Sequence, residues 1–229
     1  MSAIGDALNS VRSELPEGVT LVAVSKYHPV DDLMEAYNEG QRDFGENIVQ
    51  ELRDKQTKMP ADVRWHFIGH LQTNKVKYVV GHVALIHSVS SEKLLLAINR
   101  QAEKLGICQD ILLEINLAGE ESKSGFAPEE ALPAARLAAE LEHVRLRGLM
   151  CIPPAAEKPG ENRPFFAKLR RLAVDISLEM GDNKADNLWL SMGMSGDYED
   201  AVTEGADFVR LGTALFGPRP PLHPTAEHL

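Results

Sequence analysis

Short apolar segments alternate with amphipathic segments along almost the whole chain, and this alternation restricts the fold more than any other feature. Strands separated by helices in this way require a parallel sheet with right-handed crossovers. Eight such units in 229 residues indicate an α/β protein with a closed (β/α)8 TIM barrel, because open doubly wound sheets more often have about five or six strands. The predicted strands cover residues 21–26, 42–45, 64–68, 84–88, 110–116, 144–150, 187–190 and 208–211.

Helical periodicity fills the gaps between these strands and adds one helix before them. Ile4, Leu8, Val11 and Leu15 recur at helical spacing, which predicts an extra amino-terminal helix. No G-x-G-x-x-G motif follows the first strand, which argues against a dinucleotide-binding fold. We expect one barrel domain over residues 1–217 and a carboxyl-terminal tail over residues 218–229. The other predicted helices cover residues 31–38, 47–58, 75–80, 91–105, 128–141, 164–179 and 197–204.

Composition and charge exclude several classes of protein. The net charge of −10 argues against a partner held by nucleic-acid phosphates. No apolar stretch approaches the length of a membrane span, and the amino terminus lacks the pattern of a signal peptide. Cys108 and Cys151 both lie in apolar runs, so we expect two buried thiols in a reduced, cytoplasmic protein.

The most distinctive stretch is LVAVSKYHP, in which an apolar run ends abruptly at Lys26 and is closed by Pro29. It predicts a short buried strand whose last residue is a lysine. An ammonium group in such a place tends to lose its proton, and the neutral amine is a nucleophile toward carbonyl groups. The simpler alternative is that Lys26 extends from the strand end into water.

Barrel enzymes place their active sites where the strands end at the carboxyl-terminal face. The sequence puts a set of polar and chemically versatile residues at those positions. This set, in chain order, is Lys26, Glu46, Asn47, His66, His70, Gln72, His87, Ser88, Met150, Ser191 and Arg210.

The loop after the seventh strand, SMGMSGD, has the composition of an anion-binding turn. Gly193 and Gly196 permit backbone N–H groups to converge, and Ser195 adds a hydroxyl. Gly212 and Thr213, beyond the eighth strand, would supply the second half of such a site, since barrels often bind phosphate between these two loops. An ordinary capped loop is the alternative. A phosphate site facing Lys26 indicates a phosphorylated carbonyl compound, such as pyridoxal phosphate or a sugar phosphate.

Several motifs together resemble one known family. The chain is similar, in order and from about residue 21 to residue 217, to the pyridoxal phosphate homeostasis protein family (YggS/PROSC). That family shares its fold with the amino-terminal barrel of fold-type III enzymes such as alanine racemase. A mild departure is Thr73, where some members have serine. The motifs that carry the resemblance are LVAVSKYHP, DFGENIVQEL, WHFIGHLQTNK, LLEINLAGEESKSGF, GLMCIPP, LSMGMSGDYEDAV and VRLGTALFG.

The resemblance implies a cofactor and a role for each matching residue. The cofactor is pyridoxal 5'-phosphate (PLP), held as a Schiff base on Lys26. Arg210 is expected to face the pyridine nitrogen, and Asn47 matches the asparagine of the second-strand motif. The residues expected to bind the phosphate are Ser191, Met192, Gly193, Ser195, Gly212 and Thr213.

Arg210 also bears on catalysis. An arginine stays protonated and donates to the ring nitrogen, which makes the ring a poorer electron sink than one paired with a carboxylate. Alanine racemase has a tyrosine base from a second domain, and we expect no equivalent among Tyr27, Tyr37, Tyr78 and Tyr198. The resemblance therefore implies a carrier of PLP rather than an enzyme, with PLP-requiring apoenzymes as its expected recipients. Since the predicted barrel has no extra domain and few obvious apolar surface patches, we expect a monomer.

Two other functions stay open at this point. One is a small fold-type III racemase that works without a second domain. The other is a Schiff-base aldolase acting on a sugar phosphate, which is weakened because the sixth strand carries no lysine. His66 and His70 have the spacing of helical metal ligands, but they lie on a strand and a following turn, so we expect packing and solvent roles instead.

Overall fold

The computed structural model describes residues 2–120, 124–181 and 188–218. Within these residues, eight parallel strands pair in chain order and close into a barrel, with β8 hydrogen-bonded to β1. The predicted (β/α)8 fold is therefore confirmed. The strands are β1 Thr20–Val24, β2 Asp43–Glu46, β3 Arg64–Phe67, β4 Leu85–Val89, β5 Gln109–Glu114, β6 Val144–Met150, β7 Trp189–Ser191 and β8 Phe208–Leu211.

Helices surround the strands and begin and end where the side chains provide caps. Ser2 and Ser91 accept hydrogen bonds from the first turns of their helices, and Gly106 ends α4 in the left-handed region with φ of 65°. The helices are α1 Ala3–Glu14, α2 Val30–Asn38, α3 Val49–Gln56, α4 Glu92–Leu105, α5 Ala131–Glu140, α6 Arg163–Met180, α7 Tyr198–Thr203 and α8 Thr213–Phe216, with 3-10 turns at Thr73–Tyr78 and Pro128–Glu130.

Some predicted boundaries differ from the observed ones. β1 ends at Val24, so Lys26 lies in the following loop and not at the end of the strand. The helix predicted over residues 75–80 is a 3-10 turn, and α8 was not predicted because it has only four residues. Residue 187 of the predicted seventh strand and residues 219–229 of the predicted tail lie outside the described residues.

Apolar side chains form two layers on opposite faces of the barrel wall. A small cluster fills the barrel interior, and a larger cluster packs between the strands and the helices. This division follows from the alternation of side chains along each strand. The interior cluster consists of Val22, Leu85, Leu112, Met150 and Phe208, with Trp189 packed against it.

The two cysteines have different environments. Cys151 is buried, as predicted, and burial raises the pKa of its thiol to about 12. The prediction of a buried thiol was wrong for Cys108, which is exposed. Cys108 lies in the turn between α4 and β5, just before the strand starts at Gln109. Its apolar neighbours in sequence belong to these two elements, and the turn itself faces solvent.

None of the described helices is both long and apolar enough to cross a membrane.

Gly148 pairs with Trp189 of the neighbouring strand β7, and a Cβ built at Gly148 would lie 1.9 Å from the carbonyl oxygen of Trp189. We expect Gly148→Ala to force the two strands apart and to lower the free energy of unfolding by about 3 kcal/mol. Urea denaturation measures this loss. Gly196→Ala is the matched control, since a Cβ at Gly196 meets nothing within 4 Å. Equal unfolding midpoints for the two variants would contradict the prediction.

Candidate functional site

Lys26 lies in a tight loop just beyond the carboxyl end of β1. Its side chain is partly buried, and its Nζ lies 4.7 Å from the centroid of the Tyr27 ring. Tyr27 has a φ of +69°, a conformation that residues other than glycine rarely adopt. Such a conformation persists only where surrounding contacts enforce it.

A buried lysine provides those contacts. The Nζ of Lys55, on α3, donates to the backbone oxygen of Ser25 at 2.7 Å, to Glu46 at 2.6 Å and to Glu51 at 2.8 Å. Glu51 in turn accepts the backbone N–H of Tyr27 at 2.8 Å. The loop that carries Lys26 is therefore fixed on both sides of that residue by one ammonium group and its carboxylate partners.

Glu46 belongs to this buried network and not to a ligand-binding surface. Its Oε1 accepts from the hydroxyl of Ser25 at 2.6 Å as well as from Lys55. Burial raises the pKa of Glu46, and the opposing effects of Lys55 and Ser25 only partly offset it. The predicted position of Glu46 at the end of the second strand is observed, but its role is to hold the Lys26 loop.

Asn47 follows β2 at the same end of the barrel. Its Oδ1 is buried and has no hydrogen-bond partner within the described part of the chain. Gly69 packs directly against the backbone of Asn47, since a Cβ built at Gly69 would lie 2.1 Å from the carbonyl oxygen of Asn47. Since buried acceptors normally have a donor, this atom is available to accept a hydrogen bond from a bound molecule.

Arg210 points into the barrel from β8 and is almost completely buried. It donates to Ser191 Oγ at 2.6 Å and to the carbonyl oxygen of Cys151 at 2.9 Å. Burial lowers the pKa of Arg210, while nearby groups that include Asp197 and Glu114 raise it. The guanidinium has five N–H donors, so these two contacts leave donors for a ligand at the barrel mouth.

Two residues of the predicted phosphate loop are structural parts of the barrel wall. The hydroxyl of Ser191 faces the interior, where it contacts Arg210 and His87. Met192 is buried in the outer apolar cluster, and its backbone N–H donates to the carbonyl oxygen of Phe208. Their side chains therefore hold the strands and Arg210, and neither side chain belongs to the turn formed by the next residues.

The remaining loop residues meet one another. Ser195 Oγ accepts from the backbone N–H groups of Gly212 at 3.3 Å and Ala214 at 3.2 Å. Gly193 has a φ of +91°, and a Cβ there would lie 2.6 Å from that of Ala201, so only glycine fits the turn. Thr213 is the first residue of α8. The loops after β7 and β8 thus converge, with backbone donors directed at one oxygen atom.

This pair of loops adjoins the Lys26 loop. A Cβ built on Gly212 would lie 3.4 Å from the carbonyl oxygen of Val24, the last residue of β1. The ring of His28 packs on that of Phe216 in α8, with centroids 4.9 Å apart. Lys26, Ser195, Gly212 and Thr213 are therefore brought to one side of the barrel mouth.

The alternative of a capped loop also describes part of this region. Asp197 Oδ1 accepts the backbone N–H of Met194 at 2.7 Å, and Asp197 Oδ2 accepts from the side chain of Asn162 at 2.7 Å. Asp197 thus ties the turn to itself and to the preceding helix. A cavity of about 180 Å³ borders the outer side of this turn, lined by Pro159 and residues 195–200.

Glu114 is a residue of this region that the sequence prediction missed. It is the last residue of β5, it is buried, and its Oε2 has no hydrogen-bond partner among the residues described. Burial raises the pKa of Glu114, opposed by the charge of Arg210. The signal was present in the sequence, since Leu112 and Glu114 share one face of a strand and Leu112 belongs to the barrel interior.

The histidines occupy different places. His66 and His87 are buried inside the barrel with a nitrogen-to-nitrogen distance of 2.9 Å, and His70 is exposed. His66 is therefore a core histidine and His70 a solvent-side residue, as expected from the sequence. In residues 2–120, 124–181 and 188–218, no group of three or more potential ligands could hold a metal ion.

The comparison with known proteins agrees with this architecture. A family model described as alanine racemase, N-terminal domain matches residues 1–220. Alanine racemase from Clostridium difficile 630 has the same fold, with a TM-score of 0.78 at 17% identity over 99% of this chain and 58% of that chain. The fold and the site thus define a barrel of the alanine racemase amino-terminal class.

Closer relatives narrow this class. The pyridoxal phosphate homeostasis protein of Aquifex aeolicus (strain VF5) is 46% identical over 87% of this chain and 86% of its own length. The pyridoxal phosphate homeostasis protein of Schizosaccharomyces pombe is 39% identical over 100% of this chain and 98% of its own length. PipY of Synechococcus elongatus PCC7942, solved with PLP bound, has a TM-score of 0.86 at 40% identity over 93% of this chain and 100% of that chain. The chain belongs to the pyridoxal phosphate homeostasis protein family.

We expect Lys55→Met to lower the free energy of unfolding by about 3–5 kcal/mol, because it leaves the carboxylate of Glu46 buried without its partner. Chemical denaturation at pH 7 measures the loss, and Lys58→Met, at an exposed position of the same segment, is the control.

The loss in the free energy of unfolding caused by Lys55→Met should also depend on pH. Without Lys55 the pKa of Glu46 rises further above its usual value of about 4.3. A carboxyl whose pKa is raised by folding favours the folded state at low pH and loses that contribution as pH rises. The difference in the free energy of unfolding between Lys55→Met and the wild type should therefore narrow as pH falls toward about 4.3. A difference that stays constant with pH would contradict the pairing of Lys55 with Glu46.

Proposed function

We propose that the chain binds PLP covalently through Lys26 and acts in PLP homeostasis as a carrier. The observation that carries the proposal is the position of Lys26, in a loop held by Lys55 and adjoining the Ser195–Gly212 contact. PipY, which is 40% identical and was solved with PLP bound, supports the choice of cofactor.

The residues at the barrel mouth fit this cofactor. The orphaned Oδ1 of Asn47 and the free donors of Arg210 are polar groups that await a partner. When bound, PLP supplies an aldehyde whose carbon takes up the Lys26 amine with loss of water. In this assignment Arg210 would contact the ring nitrogen, and the phosphate would be held by the turn that contains Gly193, Ser195, Gly212 and Thr213, next to Ser191 and Met192 in the barrel wall.

We propose carriage of PLP rather than catalysis because two of the tyrosines that could serve as the opposing base of a racemase, Tyr37 and Tyr198, have their hydroxyls engaged elsewhere. The hydroxyl of Tyr37 donates to Asp62 at 2.7 Å, and that of Tyr198 donates to Glu14. Both contacts are on the outside of the barrel. Burial and Glu14 raise the pKa of Tyr198 to about 12, which further disfavours a basic phenolate. A cytoplasmic monomer that delivers PLP to apoenzymes completes the proposal.

The first experiment is the visible absorbance spectrum of the protein with PLP, followed by borohydride reduction and peptide mapping. We expect a yellow protein whose reduced adduct lies on the peptide carrying Lys26. Lys26→Ala should abolish the adduct, whereas Lys75→Ala, at an exposed lysine beyond β3, should retain it. An adduct on another lysine, or a protein that stays colourless, would refute the proposal.

A racemase assay on the same preparation separates carriage from catalysis. If the protein is a carrier, it should not catalyse exchange of the α-hydrogen of amino acids. The unaltered protein and Lys26→Ala should then give the same background signal. Exchange that disappears in this variant would assign the protein to the racemases instead.

The phosphate assignment predicts a second result. Ser195→Ala removes the oxygen that organises the backbone donors of Gly212 and Ala214. We expect affinity for PLP to fall about tenfold, the loss of one hydrogen bond to a charged group. Affinity for pyridoxal, which has no phosphate, should change little. Ser13→Ala, at an exposed position of α1, serves as the control, and equal losses of affinity for both ligands would contradict the assignment.

A further inference from the structure

A chain of hydrogen bonds runs through the barrel interior and ends at Arg210. Asp43 Oδ1 lies 3.0 Å from His66 Nε2, and His66 Nδ1 lies 2.9 Å from His87 Nε2. His87 Nδ1 lies 2.8 Å from Ser191 Oγ, which lies 2.6 Å from Arg210. The sequence prediction treated these residues separately, with a packing role for His66 and with His87 as one of the residues at the strand ends.

All five residues are buried, and strand register explains why they meet. Ser191 pairs with both Met150 and Phe208, which belong to the interior cluster, and His66 pairs with Leu85 of the same cluster. The two imidazoles also pack on Phe208, with centroids 5.8 and 5.5 Å away. The chain is thus enclosed by apolar side chains, so each polar atom in it depends on its neighbours in the chain.

Arg210 fixes the direction of every bond in this chain. A guanidinium only donates, so Ser191 Oγ accepts from Arg210. The hydroxyl proton of Ser191 then goes to His87 Nδ1, the other polar atom that contacts it in the part of the chain described. His87 must therefore carry its proton on Nε2 and donate to His66 Nδ1, and His66 must carry its proton on Nε2 and donate to Asp43.

The charges at the two ends support this direction. Burial raises the pKa of Asp43, but hydrogen bonds from His66 and Arg64 outweigh it and hold that pKa below the usual range, so Asp43 is an acceptor. Burial lowers the pKa of His87 well below its usual value, and the charge of Arg210 acts in the same sense, which agrees with a neutral ring.

The chain spans the barrel from one end to the other. Asp43 and Arg64 are the first residues of their strands and lie at the amino-terminal end, where they help to line a cavity of about 410 Å³. Arg210 lies toward the carboxyl ends of the strands, where the Lys26 loop begins. An electrostatic change at Asp43 is therefore connected to Arg210 through fixed hydrogen bonds.

We propose that Asp43, His66 and His87 are positioning residues that act through Ser191 to hold the Arg210 guanidinium toward the ring nitrogen of PLP. This inference rests on the proposed function. Asp43 sets the direction from one end and Arg210 from the other. If the direction were reversed, Ser191 would accept from both His87 and Arg210, and its proton would lose its partner.

The first test is nitrogen-15 NMR of the two histidines in the protein without PLP. We expect both rings to be neutral with the proton on Nε2 at pH 7. A charged ring, or a proton on Nδ1 of either residue, would overturn the inference and leave the proposed function standing. No PLP binding by a protein with the expected tautomers would refute the proposed function, and the positioning role with it.

The second test uses Asp43→Asn, which replaces a pure acceptor by an amide. Asp43 Oδ1 accepts from both Arg64 and His66, and Oδ2 accepts from Arg64, so the N–H₂ of the amide places a donor where this cluster of donors needs an acceptor. We expect the tautomer of His66 to change, the absorbance maximum of bound PLP to shift, and its affinity to fall about tenfold. Asp62→Asn, at an exposed aspartate that also pairs with an arginine, should change none of these.

Ser191→Ala provides a variant that cuts the chain next to Arg210 with a minimal change in volume. If the chain acts through Ser191, adding Asp43→Asn to Ser191→Ala should have no further effect on PLP absorbance or affinity. Additive effects would overturn the positioning role. The positioning role would also be overturned if Asp43→Asn changed the tautomer of a histidine but left the absorbance of bound PLP unchanged.

Discussion

The pairing of β1 with β8 is the interaction on which the rest of the structure depends. It aligns Val22 with Arg210 and Ala23 with Leu211, so residues near the two ends of the chain become neighbours. Closure leaves no free sheet edge and directs the carboxyl ends of all the strands to one face. The Lys26 loop and the loops after β7 and β8 converge only because this seam is formed.

The interior of the closed barrel contains buried polar side chains, and each of them needs a hydrogen-bond partner. An apolar cluster fills part of it, and the polar side chains of Asp43, His66, His87, Ser191 and Arg210 are also buried there. Leaving one such group without a partner costs about 1–3 kcal/mol. The structure avoids this by joining them end to end, so the same bonds that satisfy the interior also determine where the guanidinium lies.

The sequence specified the fold well because each strand and helix carries its own periodic pattern, and the order of these patterns leaves few topologies. Lys26, Ser195, Gly212 and Arg210 were also predicted as site residues from the sequence, by strand ends, glycines and the resemblance to a family, and the structure brings the first three to one side of the barrel mouth. The Lys55 network, Glu114 and the His66–His87 contact were missed. Their roles arise from register and inward alternation across several strands, which a local pattern does not contain. Cys108 was misplaced for a similar reason, since its apolar neighbours belong to two different elements.

The pairing of β1 with β8 also affects the order in which the molecule folds. The contacts of β1 with β8 join residues almost 190 positions apart (Thr20 with Phe208), so they contribute strongly to contact order and form late when folding is governed by loop-closure entropy. Arg210 lies on the last strand, and the interior chain of hydrogen bonds is incomplete until that strand docks. Nearly the whole polypeptide must therefore be synthesised and collapsed before the loops at the barrel mouth converge, and an emerging chain that lacks β8 also lacks the Arg210 end of the interior hydrogen bonds.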